Sequence, residues 1–255
     1  MSRLFDDASS EHLTRTDTCG ISAYPFSFAY WARPDSLTDG AVMGFGDTSS
    51  DAYHWVGFRN PADTDIFLQA VNGGSVVNLS SGVTYSADTW YHVVAVFAGA
   101  QDHRLYVNGA NKVTDVATSV AIGAIDNTTI GILLIFGSSF TPFSGNVADP
   151  ALWDVALTDA EAASLGTAGY SPLLIRPQSL VAFWPLGGLY GVNSGNAADG
   201  DLDIVGGFDM DPQNTPSTGD HPSTIIYPSR RIQMVGGAAP PPAGIPILRR
   251  RRECA

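Results

Sequence analysis

The sequence TWYHVVAVFAGAQDHRLYVNG, residues 89–109, is the stretch that best indicates the fold class. Most residues from 90 to 97 are β-branched or aromatic, which favours a half-buried strand. After a polar break, Leu105 and Val107 alternate with polar or aromatic neighbours, as in a second strand with one face buried. Asn108-Gly109 then supplies the positive φ angles of a tight hairpin turn. The stretch predicts two antiparallel strands and a turn.

Similar patterns predict further strands at 26–33, 41–45 and 52–59 and a hairpin over 64–79. Residues 180–186 are apolar enough for a returning strand or for a segment laid over the sandwich. The polar N-terminal stretch 4–13 is expected to be an edge strand. The apolar run TIGILLIF, residues 129–136, is expected to be one core strand, since it is far shorter than the ~20 residues that span a bilayer.

Two short signals set the end of the sandwich. Pro150 interrupts a strand over 147–155, which predicts an edge position or a bulge. Thr158, with Glu161 three residues later, has the capping-box pattern of a helix start, and Gly166 marks the helix end. With 27 glycines and 16 prolines and few helical patterns, the chain is expected to be all-β with many turns.

Charge is distributed unevenly along the chain. The formal net charge is −12, from 13 basic and 25 acidic residues. Setting aside the four arginines and the one glutamate at 249–253 leaves 9 basic groups (13 − 4) and 24 acidic groups (25 − 1). An acidic body of this kind does not attract nucleic acid or an anionic membrane, so neither is expected as a partner. It is suited to cations or to a basic protein surface.

The cysteines and the N-terminal residues bear on whether the protein is secreted. Cys19 and Cys254 are interpreted as free thiols unless the termini meet. The opening MSRLFDDASSEH lacks a basic n-region and an apolar h-region, so no signal peptide is expected.

Four motifs in order carry a family resemblance. They are residues 25–32 (PFSFAYWA), the 90–109 hairpin, 143–149 (FSGNVAD) and 156–161 (ALTDAE). Together they resemble the laminin-G-like domains of the concanavalin A-like lectin/glucanase superfamily. The resemblance implies a concanavalin A-like jelly-roll β-sandwich of two antiparallel sheets with one short helix, plus an extended C-terminal segment. It covers residues 1–170. Residues 171–235 are then expected to be an extension packing on the sandwich or on neighbours, and residues 236–255 a Pro/Gly linker with an Arg-rich tail.

The layout of the C-terminal part narrows the resemblance. WPLGG at 184–188, HPSTIIYP at 221–228 and the Arg-rich end are similar to laminin-G-like chains encoded among bacteriophage structural genes. The expected role is a virion structural protein, a capsid decoration or spike-like subunit that is assembled in the host cytoplasm. Its expected partners are other virion proteins of capsid or tail, further copies of itself, and glycans on the host surface. A free lectin module and a glycoside hydrolase remain as alternatives.

The placement of the acidic residues along the sequence argues against glycosidase activity. A retaining glycosidase needs two carboxylates about 5–5.5 Å apart, and the superfamily's Glu-x-Asp-x-x-Glu strand motif is absent. The glutamates, at 11, 161 and 253, lie outside the predicted core strands. Aspartate pairs at 63 and 65 or at 209 and 211 remain, in turn-like segments. No nucleophile elbow, phosphate loop or zinc helix appears, and the histidines lack ligand spacing, with His92 expected to be a hydrogen-bonded structural residue. A non-enzymatic protein is expected.

A glycan site is the binding hypothesis. Aromatic faces stack on sugar rings while polar neighbours orient the hydroxyl groups. Strand alternation places Tyr53, Trp55 and Arg59 on one face and Ala52, His54, Val56 and Phe58 on the other. These first three residues are the candidate ligand site; the alternative is that Trp55 belongs to the core.

Calcium is the metal to weigh, because related domains bind it through loop oxygens. The densest acidic cluster is Asp199, Asp201 and Asp203, but its spacing departs from a calcium-hand loop. The family's late strand commonly carries two acids where this chain has Ala148 and Asp149. A solvated turn is the alternative, and no metal is assigned.

The C-terminal tail resembles a docking peptide, with an apolar anchor before a basic cluster. A solvated end is the alternative. The candidate partner-anchoring residues are Ile245, Ile247, Leu248, Arg249, Arg250, Arg251 and Arg252.

Overall fold

A computed structural model of the chain describes residues 2–59, 64–186, 201–222 and 225–227. These residues form antiparallel strands and one helix of eight residues, α1 (Asp159–Gly166). The strands are β1 (Ser2–Phe5), β2 (His12–Arg15), β3 (Phe26–Pro34), β4 (Gly40–Gly46), β5 (Tyr53–Arg59), β6 (Asp65–Asn72), β7 (Ser75–Thr84), β8 (Tyr91–Gly99), β9 (Asp102–Val107), β10 (Ala110–Asp115), β11 (Asn127–Ile130), β12 (Leu133–Ile135), β13 (Ser138–Phe140), β14 (Gly145–Trp153), β15 (Leu180–Phe183), β16 (Asp211–Gln213) and β17 (Ser217–Gly219).

Two large sheets make the sandwich. The eight-stranded sheet has the order β10-β9-β8-β3-β14-β1-β17, with β15 also paired to β14. The seven-stranded sheet has the order β16-β2-β11-β4-β5-β6-β7, and β12-β13 is a separate small hairpin. The expected all-β sandwich of two antiparallel sheets with one short helix is confirmed.

The core between the sheets follows from strand alternation. Phe26, Phe28 and Tyr30 on β3 are at most 1% exposed and share one face, as predicted. Phe26 stacks on Phe97 with ring centroids 4.6 Å apart, and Phe28 meets Phe45 of the opposite sheet edge-on at 4.9 Å. Each such aromatic side chain contributes about 1.5–3 kcal/mol by burial. The facing aromatic rows therefore hold the two sheets together.

The 89–109 stretch folds as predicted. Strand β8 pairs antiparallel with β9, and Val93 lies opposite Val107. Asn108 and Gly109 have φ angles of 53° and 71° in the turn that leads to β10. A Cβ atom at Gly109 would lie 2.6 Å from the backbone nitrogen of Thr167. This glycine is therefore needed both for the turn and for the close approach of the helix end.

The N-terminal prediction is wrong in detail. Residues 2–15 form two strands in different sheets, separated by a turn in which the Glu11 N–H donates to the Asp6 carbonyl. Strand β1 lies between β14 and β17 and is not an edge strand. The polar residues 6–11 supply the turn, because Asp and Ser side chains satisfy backbone groups locally.

The apolar run 129–136 is also two elements and not one. It bends at Gly131, whose φ is 90°, between β11 and β12. Phe136, at the end of the run, is 55% exposed. Hydrophobicity alone could not reveal the bend, because glycine is permitted both inside a strand and at a turn.

Strand β14 and helix α1 are as expected. The β14–β3 register shifts between Ala148 and Ala151, where Asp149 has a φ of 49°, so a bulge accommodates Pro150. Thr158 caps α1 in a complete capping box with Glu161. The helix buries Ala162 and Leu165 against the outer face of the eight-stranded sheet.

Residues beyond 171 join both sheets. Strand β15 pairs with β14, β16 with β2 and β17 with β1. The Arg3 guanidinium donates to Asp201 over 2.6 Å, with both side chains at most 2% exposed. The N-terminal strand and the C-terminal segment are therefore joined by backbone pairing and by a buried ion pair.

Two further features concern single residues and membranes. Cys19 is a buried free thiol, and burial raises its pKa to about 12, which makes it a poor nucleophile; Cys254 lies outside the described residues. Within the described ranges, no helix is long and apolar enough to cross a membrane.

Candidate functional site

The two sheets differ on their outer faces. The outer face of the eight-stranded sheet, here the covered face, lies beneath α1 and the chain that follows it. The outer face of the seven-stranded sheet, here the open face, carries a smaller cluster with polar side chains beside it. The covered face packs Ala29, Val94, Val96, Tyr106, Ala151, Trp153, Leu157, Ala162, Leu165, Ile175, Leu180 and Phe183. The open face packs Ala41, Trp55, Phe67, Leu133 and Ile135.

A row of three side chains crosses the open face. Trp55 on β5 lies directly opposite Gln69 on β6, which lies directly opposite Asn78 on β7. The Trp55 indole N–H donates to Gln69 Oε1 over 3.1 Å. Gln69 Nε2 donates in turn to Asn78 Oδ1 over 2.7 Å. We call this hydrogen-bonded row the amide relay.

A groove of about 210 Å³ lies over the amide relay. At one side the Arg59 guanidinium lies above the Phe67 ring, 4.8 Å from its centroid, in a cation–π contact. Gly57, between Trp55 and Arg59 on the same face, adds no side chain, and a Cβ there would lie 2.1 Å from the Gly40 carbonyl oxygen. The groove is lined by Asp39, Trp55, Arg59, Phe67, Gln69, Asn78 and Thr141.

The predicted alternation along β5 is confirmed. Val56 and Phe58 lie in the main core, while Trp55 and Tyr53 belong to the open-face cluster. Trp55 and Arg59 both line the groove; Tyr53 packs beside the cluster and does not line the groove. The structure thus brings together two of the three candidate residues, Trp55 and Arg59.

Trp55 is not available as a stacking platform. It is 6% exposed, and its ring packs against Phe67 with centroids 5.9 Å apart. Trp55 is therefore buried, but in the open-face cluster and not in the main core, and its part in ligand binding stays a prediction. Its indole N–H also fixes the orientation of the Gln69 amide in the groove.

Sequence reasoning missed most of the groove. Gln69 and Phe67 alternate on β6 with the core residues Ile66 and Leu68, so the pattern could have placed them on the same face as Trp55. Their pairing with β5 depends on register, which a single sequence does not give. Asp39 and Thr141 come from chain segments outside these strands, so no local pattern could find them.

Carboxylates do not gather in this groove. Of the described residues that line it, Asp39 is the single carboxylate. Asp65 is buried and accepts a hydrogen bond from the Ser81 hydroxyl, and its sequence neighbour Asp63 lies outside the described residues. Glycoside hydrolysis uses a pair of carboxyl groups, about 5–9.5 Å apart according to mechanism. The described groove does not offer that pair.

The acidic cluster considered for calcium is occupied by internal contacts. Asp201 pairs with Arg3. Asp203 accepts hydrogen bonds from four backbone N–H groups, at Phe183, Val205, Gly206 and Phe208, which makes it the anchor of a turn. Asp199 lies outside the described residues. Over the described part of the chain, no group of three or more acidic, histidine or cysteine residues is arranged to hold a metal ion.

His54 and His92 are two buried histidines. His54 faces the core and bonds the Tyr24 hydroxyl over 2.7 Å, while His92 packs edge-on against Trp31 with ring centroids 5.0 Å apart. Burial lowers the pKa of each to about 3. The expectation that the His92 ring is hydrogen-bonded is wrong for Nδ1, which has no partner among the described atoms.

The candidate anchoring residues of the tail, Ile245, Ile247, Leu248 and Arg249–Arg252, all lie outside the described residues. Their role stays a prediction.

Solved structures with similar folds come from several kinds of protein. A heptameric SAP-like pentraxin from Limulus polyphemus is 19% identical with a TM-score of 0.50, over 65% of this chain and 81% of the pentraxin. The CBM40 of the Ruminococcus gnavus IT-sialidase, bound to α2,3-sialyllactose, is 13% identical with a TM-score of 0.51, over 65% of this chain and 97% of that domain. At these identities the likeness concerns the fold alone.

A third similar structure belongs to a larger protein. A mutant NanB sialidase from Streptococcus pneumoniae is 16% identical with a TM-score of 0.52, over 64% of this chain and 27% of the sialidase.

No curated protein sequence matches this chain. The sequence profile of one family, however, matches residues 7–163, which is more than half of the chain and includes all the motifs from β2 to α1. The chain belongs to the Laminin_G_3 family of the concanavalin A-like lectin/glucanases superfamily.

Proposed function

We propose that this chain is a non-catalytic glycan-binding module whose ligand lies in the open-face groove. The observation that carries the proposal is the amide relay beside Arg59, which presents several fixed polar groups next to the apolar open-face cluster. Binding sites for small ligands combine an apolar wall with a few oriented polar groups in this way. The groove volume of about 210 Å³ is small and suits a terminal sugar residue.

The similar structures support the same proposal. The CBM40 domain was solved with α2,3-sialyllactose, and this chain covers 97% of its length. The fold they share is compatible with many functions, so the support for binding comes from the groove of this chain. The single described carboxylate in the groove, Asp39, supports binding without hydrolysis.

A glycan array with purified protein tests the proposal. The informative variant is Asn78→Ala, which ends the amide relay at an exposed position of β7. Loss of one hydrogen bond predicts about threefold to tenfold weaker binding. Thr114→Ala is the matched control, because Thr114 is an exposed polar residue on β10, in the other sheet. It is expected to bind as the unchanged protein does.

Three results would contradict the proposal. The first is no binding to any saccharide on the array. The second is equal binding by the Asn78→Ala and unchanged proteins, which would place the ligand elsewhere. The third is cleavage of a bound glycan, which would establish an enzyme.

We further propose that the module is displayed on a virus particle and is fastened there by its C-terminal segment. What supports this is the resemblance to phage structural chains and the contrast between 24 acidic groups in the body and four consecutive arginines at the end. A segregated basic peptide is suited to an acidic site on a neighbouring protein, while the acidic body remains soluble.

Deleting residues 236–255 tests the attachment. Particles assembled with the truncated chain are expected to lose it, measured as copies per particle by quantitative mass spectrometry. Replacing Arg249–Arg252 with glutamine keeps the length and removes the charge, and is expected to give a similar loss. Normal occupancy by the truncated chain would show that attachment does not depend on this segment.

A further inference from the structure

We infer that the open-face groove selects glycans that carry a carboxylate group. This rests on the proposed function and deepens it by naming the ligand class. The inference comes from the direction of the hydrogen bonds in the amide relay and from the state of Arg59.

The direction of the relay is fixed by its first member. An indole N–H can only donate, so Gln69 must present Oε1 to Trp55. Gln69 Nε2 therefore faces Asn78, which must present Oδ1 in return. The group left on the exposed end is Asn78 Nδ2, with both of its hydrogens. The acceptor oxygens of Gln69 and Asn78 are therefore used within the relay, and the donor hydrogens of Asn78 Nδ2 remain for a ligand in the groove.

Arg59 adds further donors at the same place. A guanidinium has five N–H groups and no acceptor. The Arg59 guanidinium makes no ion pair or hydrogen bond with any other described residue, and the contact that positions it is the cation–π contact with the Phe67 ring. Its planar fork matches a carboxylate in a bidentate arrangement. An exposed, oriented arginine with no acidic partner in the described part of the chain is what a ligand carboxylate requires.

Thr141 supplies a third observation. Its hydroxyl oxygen is buried beside the groove and has no hydrogen-bond partner among the described residues. A threonine hydroxyl can donate as well as accept. A ligand oxygen would give this hydroxyl the partner that it lacks if the side chain turned toward the groove.

Asp39 also lines the groove and has the opposite character. Its carboxylate only accepts, so it does not bind an acid group, and it already has a partner within the protein. The ligand contacts are therefore assigned to the donors of Arg59 and Asn78, which fit a carboxylated sugar better than a neutral one.

The test compares each acidic glycan with its own methyl ester, which has the same sugar ring and no charge. Suitable pairs are tri-galacturonic acid and sialyllactose with their methyl esters, titrated by calorimetry after an array has identified binders among such pairs. The acid is expected to bind at least about tenfold more tightly than the ester, the usual gain from a charge-assisted hydrogen bond. Its affinity is also expected to fall with added salt, while that of the ester does not.

Arg59→Gln is expected to remove the preference for the acid while weak binding of the ester remains. Arg59→Lys keeps the charge without the fork and is expected to lie between the two. Lys112→Gln is the matched control: it changes the net charge by the same amount on β10, outside the groove, and is expected to leave the preference unchanged. Because Arg59 is exposed, its variants are expected to unfold at the temperature of the unchanged protein, which calorimetry checks.

The outcomes separate the two proposals. Equal binding of acid and ester, or a preference that survives in Arg59→Gln, would overturn the carboxylate inference and leave glycan binding standing. Absence of binding to every acid and every ester and to every neutral glycan on the array would overturn the proposed function itself.

Discussion

The two outer faces of the sandwich differ in what lies over them. On the covered face, Trp153 and Phe183 are fully buried beneath α1 and the segment after it, and the Trp153 indole donates to the Ile175 carbonyl over 2.9 Å. On the open face, the indole of Trp55 donates to a side chain that continues outward into the groove. A tryptophan is therefore packed into a buried cluster on the covered face, whereas on the open face a tryptophan orients a row of polar side chains.

The difference between the faces arises from the path of the chain after β14. Helix α1 and the segment that follows it lie over the apolar outer face of the eight-stranded sheet, and β15 joins that sheet by pairing with β14. On the seven-stranded sheet the small β12-β13 hairpin brings Leu133 and Ile135 to the open-face cluster. The groove lies where polar residues on β6 and β7 begin. Of the two outer faces, the covered face buries the larger apolar cluster, and the open face carries the proposed binding groove.

Trp153→Ala gives the largest expected effect. Removing a fully buried tryptophan from the covered face is expected to lower the free energy of unfolding by about 3–5 kcal/mol, measured by urea denaturation. Gln69→Ala, at a half-buried position on the open face, is expected to cost about 1 kcal/mol or less. Equal losses for the two variants would show that the faces do not differ in this way.

Low pH is expected to give the next largest loss in the free energy of unfolding, through protonation of the buried histidines. Burial lowers the pKa of His54 and His92 from 6.5 to about 3, so the folded protein keeps them neutral while the unfolded chain takes up protons below 6.5. The stability that these two neutral histidines contribute is therefore fully present above pH 6.5 and is lost as the pH falls. Between pH 7.5 and 5 the loss is about 2 kcal/mol for each histidine.

Urea titrations across this pH range measure the loss before most carboxylates titrate. His103, whose pKa burial also lowers, adds in the same direction. The variant His92→Leu removes one proton-binding site from the covered face, so its stability is expected to depend less steeply on pH. An unchanged slope in this variant would show that His92 contributes nothing to the acid sensitivity.

The polar groove is expected to respond in binding and little in stability. Gln69→Leu breaks the amide relay at its centre and leaves the Trp55 N–H without its partner. Affinity for a bound glycan is expected to fall about tenfold. Gln69→Glu is the control for direction: it still accepts from Trp55 but cannot donate to Asn78, so it is expected to weaken binding of acidic glycans more than neutral ones. Unchanged affinity in both variants would separate the relay from the ligand.

The fold was predictable where local rules decide the structure. Alternation fixed the faces of β3, β5 and β9, and Asn108-Gly109 fixed a turn, because these depend on neighbours in sequence. The errors arose where a residue has two uses. Gly131 could continue a strand or bend it, and residues 6–11 could extend an edge strand or form a turn.

The candidate site was only half predictable, for a related reason. Trp55 and Arg59 share a strand, so one pattern places both on the same face. Gln69 and Asn78 enter through the registers of β6 and β7, and Asp39 and Thr141 through tertiary packing. Groups that meet across strands depend on pairings between distant segments, and a single sequence does not encode these in any local pattern.

Thr158→Ala has the smallest expected effect and tests how the covered face is closed. The Thr158 hydroxyl accepts from the Glu161 N–H, and the Glu161 carboxylate accepts from the Thr158 N–H, so the variant removes half of the capping box. The expected loss is about 1 kcal/mol. Thr158→Ser keeps the hydroxyl and is expected to keep most of the stability. Helix α1 packs on the covered face, away from the groove, so glycan affinity is expected to be unchanged in both variants. A fall in affinity with Thr158→Ala would mean that the packing of α1 on the covered face affects ligand binding in the groove, and that the two faces are coupled through the core.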